Sequence, residues 1–373
     1  MTDNPFGGLF GDLFSVLGQQ GPDAWFDTAK TLALNVVRQA DNDPNPDPSE
    51  RQRLERFSPL VARHVAALLS VTGSDTVDAA TRSTLTLTAL DQWRPLIQPM
   101  VDAPPPSLEG LDPSGANVMG QLAATLGPLF TGFQLGSIAG HFSERAWSMA
   151  ALPLPRTSSA QILVVNNVAT FAQEWSLDPD TTSIFAVARE MAAATILSQP
   201  GTGDALRAIL LDAVRDAMAV QGDIVSRLQS MVNPDDLASL MGNPESLLDG
   251  LELPEHTPAV DAINAAAAAL RSVLDTIGFT VTESIVGPAT TLREAYLRYR
   301  LSDARGEDAA AALFGISHQG EHQTQADAFV YEIVENHGIE AFAALLRVDG
   351  LPSASELWTP EEWFQRVTNS PLA

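Results

Sequence analysis

The chain has 373 residues, 45% hydrophobic and 18% charged, which excludes wholesale disorder and allows a sizeable core. Its 46 acidic and 21 basic side chains give a net charge of −25, so it repels phosphate backbones and sequence-independent nucleic-acid binding is not expected. It has no cysteine, which rules out disulfides, thiolate metal sites and cysteine nucleophiles.

Residues 1–20 combine Phe6, Leu9, Phe10, Leu13 and Phe14 with several glycines. That spacing predicts a short amphipathic helix docked on the body, and the start lacks the basic region of a secretory signal. Helices are expected over 23–38 and 48–71, on either side of a Pro- and Asx-rich loop. A third is expected over 75–94, ended or kinked by Pro95. A loop containing Pro104, Pro105 and Pro106 precedes the apolar, buried stretch 117–133. Gly136-Ser-Ile-Ala-Gly140 reads as a tightly packed helix segment beside a hydrogen-bonded His141, rather than as a setting for a Ser137 nucleophile.

Leu152–Arg156 and Gln161–Val165 are the strand candidates, enough for a short β-hairpin or small sheet. A helix is expected over 168–175. Asp178-Pro179 then reads as an N-cap followed by proline at the first helical position. That helix runs to 197, with Ile184, Val187, Met191 and Thr195 facing the core, and Pro200-Gly201 ends it. Further helices are expected over 204–230, 259–284 and 290–300 and on to about 346, with a loop-rich stretch over 233–258 and a tail over 358–367. The fold class is mainly α. A helical region over 1–115 precedes a domain over 116–373, unless the two are continuous. No apolar run reaches the ~18 residues of a membrane span, and a cytoplasmic location is expected.

Several segments share an order and spacing with one family. They are Asn4-Pro-Phe-Gly-Gly-Leu-Phe-Gly-Asp-Leu, Gln20-Gly-Pro-Asp-Ala-Trp25, Leu135-Gly-Ser-Ile-Ala-Gly-His141, Leu152-Pro-Leu-Pro-Arg156, Leu163-Val-Val-Asn-Asn-Val168 and Glu174-Trp-Ser-Leu-Asp178, with Leu351-Pro, Trp358 and Trp363 near the end. Together they resemble the actinobacterial zincin-like hydrolase family of zinc-dependent metalloproteases. The resemblance implies a zincin-like helical domain with a His-Glu-x-x-His helix. Two histidines one turn apart would hold zinc, and the glutamate between them would polarise a bound water. Here those positions are Arg189, Glu190 and Ala193. The family's third ligand corresponds to Ile277, with Glu283 as the other candidate. A guanidinium, a methyl group and a sec-butyl group offer zinc no lone pair.

The resemblance therefore implies a catalytically inactive metalloprotease-like protein. It would act by binding a protein partner or a ligand, without a cofactor, and Glu190 would be a catalytic remnant. Arg189 either closes the old site with an internal salt bridge or holds an anion, and the pocket candidates are Arg189, Glu190 and Glu283. Two alternatives stand beside this reading. One is a zinc-dependent metallohydrolase, for which His318-Gln-Gly-Glu-His322 is the intact metal-ligand spacing and Glu332 or Glu335 the third ligand. The other is a small-anion or small-molecule binder that uses the former active-site pocket.

Overall fold

The computed structural model describes residues 23–40, 43–102, 113–230, 257–302, 305–317 and 321–369, the side chains of 40, 113–126 and 216–230 excepted. The Phe/Gly-rich start, most of the 233–258 stretch and His318 lie outside the described residues.

Helix α1 spans Ala24–Ala40 and α2 spans Pro48–Leu69. The Asp47 carboxylate caps α2 by accepting from the Ser49 amide at 2.7 Å, one of the donors a helix start leaves unpaired. Strand β1, Asp78–Ala80, is followed by α3, Arg82–Val101, capped by Thr81. Helix α4 spans Pro113–Arg145 and a short 3-10 turn covers Met149–Ala151. Strand β2, Ile162–Val164, runs directly into α5, Val165–Glu174. Helix α6 spans Pro179–Leu197 and α7 spans Pro200–Ser230. The remaining helices are α8, Pro258–Val286; α9, Thr290–Leu301; α10, Arg305–Leu313; α11, Glu321–His337; and α12, Pro360–Asn369. A 3-10 segment, Ile339–Leu346, lies between the last two.

The mainly α expectation holds, and three local expectations are corrected. The 75–94 stretch is not one helix. Its first part is β1, which pairs in parallel with β2 in the register Asp78↔Ile162, Ala79↔Leu163 and Ala80↔Val164. The helix after it passes through Pro95 and Pro99. Asp91, Pro95 and Pro99 share an exposed stripe, so the carbonyls that lose an amide partner at the prolines can turn to water. Leu152–Arg156 is not a strand. No hairpin forms between the two candidates, and the small sheet is parallel with a long connection.

Two helix contacts place the site. Helix α4 lies against α1 through glycines. A methyl group at Gly136 would stand 2.5 Å from the Ala29 carbonyl oxygen, and one at Gly140 would stand 2.6 Å from the Val36 Cβ. Helix α6 is the centre of the molecule. Every residue from Thr182 to Leu197 is buried, the polar ones included. It is surrounded by α2, α5, α7, α8, β2 and the Met149–Ala151 turn. The Asp178 carboxylate accepts from the Thr181 amide at 2.7 Å and Pro179 opens the first turn, so the start of this helix is as the sequence predicts. A continuous set of buried apolar side chains runs from Trp25 to Val367. Among the described residues, no helix is long and apolar enough to cross a membrane.

Candidate functional site

The site is built around the buried middle of α6, where Arg189 and Glu190 stand side by side. As neighbours on a helix they leave the axis about 100° apart, and each meets a different partner. The Glu190 carboxylate is fully buried. Arg156 holds it with two parallel hydrogen bonds, Nη1 to Oε1 at 2.7 Å and Nη2 to Oε2 at 2.8 Å. Both oxygens are taken in the two-pronged geometry that suits a guanidinium. Arg156 arrives on the extended Leu152–Arg156 segment, whose end is tied to α6 by the Arg156 amide donating to the Leu197 carbonyl at 3.1 Å.

Arg189 turns the other way, toward α8. Its Nε lies 2.6 Å from Asp275 Oδ1, with both side chains buried. Asp275 also receives the Tyr296 hydroxyl at 3.2 Å and Arg300 Nη1, 2.5 Å from its Oδ2. One carboxylate thus serves two guanidiniums and a phenol. Burial alone would raise its pKa, but the Arg189 and Arg300 charges overcome that and hold it below the usual carboxylate value. Burial pushes the Tyr296 hydroxyl above its ordinary range and raises Tyr299 to about 12, so both phenols stay protonated donors at neutral pH.

Sequence-marked positions converge only in part. Arg189, Glu190 and Ala193 are buried on one helix, and Ile277 is buried on α8. Contact between α8 and Arg189 runs through the neighbours of Ile277. Asp275 makes the ion pair, and a methyl group at Gly278 would stand 2.9 Å from Arg189 Cγ and 2.8 Å from the Phe185 ring. Phe279 stacks on Phe185 with ring centres 4.4 Å apart. Glu283 is two turns beyond Asp275 along α8 and pairs with Arg293 at 3.1 Å. His322 lies near Asp261, at 3.5 Å. Glu332 and Glu335 follow ten and thirteen residues later on α11, roughly 15 and 20 Å along the axis, and both are exposed. His141 is exposed and its Nδ1 lies 2.9 Å from Glu144.

The sequence reading did not mark Asp275, Arg271, Tyr296, Arg300, Glu307 or Arg156. A signal was present for two of them. Arg271 and Asp275, one turn apart, interrupt an alanine-rich, mostly apolar run over 262–281. A charge inside such a run is either paired or functional.

A zinc ion does not fit the side chains at the positions that the resemblance assigns to it. The two helix positions among them carry a guanidinium and a methyl group. The carboxylates nearest them, Glu190 and Asp275, are each engaged by arginine. Among the described residues, no group of three His, Cys, Asp or Glu side chains is placed to hold a metal.

Comparison with known proteins agrees with the architecture. A family model described as zincin-like metallopeptidase matches residues 25–364. A solved structure from Chloroflexus aurantiacus, described as a "putative hydrolase with a novel fold", superposes with a TM-score of 0.57 at 17% sequence identity, covering 93% of this chain and 99% of that one. At that identity the likeness is one of fold. No curated protein matches the chain.

Proposed function

We propose that this chain, which belongs to the zincin-like metallopeptidase family, works by binding and not by metal-dependent hydrolysis. The observation that supports this is the pair of buried salt bridges on α6. Arg189 is committed to Asp275 at 2.6 Å, and Glu190 is committed to Arg156 through both carboxylate oxygens. A zincin glutamate must be free to accept a proton from a metal-bound water. Here that carboxylate is already neutralised, and the place of the first histidine is filled by a fixed positive charge. The former site thus becomes a structural element of the core, and the protein's work passes to binding a partner or a ligand.

The test is elemental analysis of purified protein after dialysis against a metal-free buffer. The expected result is far less than stoichiometric zinc. About one zinc per chain would overturn the proposal and direct attention to His318 and His322.

A further inference from the structure

The start of α6 borders a cleft of about 280 Å³ that neither buried ion pair lines. Its walls come from α2, α5 and α6. Val168 and Ala172 of α5 and Ser183 of α6 are its buried part. Leu177 and Pro179 extend the apolar surface outward, and Glu50, Arg53 and Gln173 supply the polar edge. Helix α2 is tied to the α6 start by two arginines. Arg53 Nε donates to Asp180 Oδ1 at 2.8 Å, and Arg56 Nη2 donates to Asp180 Oδ2 at 2.5 Å. Ser183 lies six residues before Arg189, roughly 9 Å along the helix axis, so this cleft is separate from the former zinc positions.

We propose that the cleft binds a small uncharged organic ligand, an apolar ring or short chain that carries a carboxamide-like edge with a donor and an acceptor side by side. Shape is the first argument. A cavity of ~150 Å³ takes a benzene ring, so this one takes a ring with a polar group of a few atoms. Small-molecule sites are mostly apolar, with a few polar groups that fix the ligand's orientation, and the lining has that make-up.

Charge is the second argument. Arg53 Nη1 donates to Glu50 Oε1, and Arg53 Nε is used by Asp180. Among the described residues, Arg53 Nη2, Glu50 Oε2 and the Gln173 side-chain amide make no hydrogen bond. The Glu50–Arg53 pair thus offers a spare donor and a spare acceptor with almost no net charge. A carboxamide oxygen can accept from the guanidinium while its N–H donates to the carboxylate. An anion would be repelled by Glu50 and Asp180, and a cation by Arg53 and Arg56. An uncharged ligand meets neither repulsion and costs less to desolvate.

The experiment is a saturation-transfer NMR titration of the full chain with benzamide, with benzoate and benzylamine as anionic and cationic arms on the same ring. Saturable benzamide binding is expected, about fivefold or more tighter than either charged analogue. Ala169 is half-buried on the lining, and Ala169→Phe should fill the cleft and weaken benzamide binding about tenfold or more. Glu50→Gln removes the negative half of the pair and should erase the preference for benzamide over benzoate. Circular dichroism checks folding, and if Ala169→Phe does not fold, the Glu50→Gln result decides. No saturable benzamide binding up to about 10 mM overturns the inference. So does a charged analogue that binds as well as benzamide, or binding that the folded variants leave unchanged. Zinc content is a separate readout. Failure of benzamide to bind leaves the binding-only function standing, whereas stoichiometric zinc overturns that function and leaves this cleft untouched.

Discussion

At the scale of single residues, Asp275 carries the most. It is the shared counter-charge of Arg189 and Arg300 and the acceptor of the Tyr296 hydroxyl. Removing its charge leaves two buried or half-buried guanidiniums without it, and breaking a buried pair in this way costs ~3–5 kcal/mol. Asp275→Asn should therefore lower unfolding free energy by about that amount at pH 7, read from urea denaturation. The pH dependence has a definite sign. A carboxyl group depressed in the folded state contributes stability that is full above its ordinary pKa of 3.8 and is lost as pH falls through the folded value. The gap between wild type and Asp275→Asn should thus be constant near neutrality and close in strong acid. A gap that widened on acidification would contradict the assignment. Arg156 and Glu190 form a second closed unit at 2.7 and 2.8 Å, and there too the loss of either partner strands the other.

At the scale of elements, two helix pairs have separate jobs. The α1–α4 pair is set by glycine. A methyl group at Gly136 would meet backbone, the Ala29 carbonyl, at 2.5 Å, so the helices must move apart to admit it. Gly136→Ala is expected to destabilise by ~1–3 kcal/mol through overpacking. Gly127→Ala, on the same helix with nothing within 4 Å of the added carbon, is expected to stabilise by up to ~1 kcal/mol through helix propensity. Equal effects at the two positions, measured by thermal melting, would mean that the seam is not close-packed. The α6–α8 pair carries the positions that the resemblance assigns to zinc. Positions 189 and 193 are one turn apart, and Asp275 already approaches position 189. Arg189→His with Ala193→His should therefore gain zinc affinity over wild type by using Asp275 as a carboxylate ligand. Adding Asp275→Asn should remove that gain. Zinc titration of the folded variants decides between these outcomes, and an undiminished affinity after Asp275→Asn would place the third ligand elsewhere.

At the scale of the whole molecule, contacts cross the boundary that the sequence suggests near residue 115. Helix α1 packs on α4, and α2 packs on α6. The buried apolar set includes Trp25 and Val61 from the first part along with Phe329 and Trp363 from the last. Trp363 is fully buried, meets Phe329 edge-on at 5.2 Å between ring centres, and donates to the Gly350 carbonyl at 2.9 Å. Cores shared in this way unfold together. A single calorimetric transition is expected, coincident with loss of helical circular dichroism. Two separated transitions would instead support independent units meeting near residue 115.

Local information in the sequence determined the elements whose signals are local. Asp178-Pro179 starts α6 because a side-chain cap and a fixed φ act within one turn, and α8 and α9 follow from apolar spacing and their flanking breakers. The sequence also determined that Arg189 and Ala193 offer no ligand to zinc, since that is a property of the side chains themselves. It did not determine which residues meet them. Asp275 and Arg189 are 86 positions apart, and Arg156 and Glu190 are 34 apart; no local rule links such pairs. Strand β1 was hidden for the same reason. Three residues have too little period to read, and their pairing with Ile162–Val164 exists only once the helices between them are packed. Pro95 misled because proline's cost depends on whether the freed carbonyl faces water, and exposure is decided by the assembled fold. Tertiary structure alone turned two isolated charges on α6 into two closed ion pairs, and it brought α2, α5 and α6 together around one cleft.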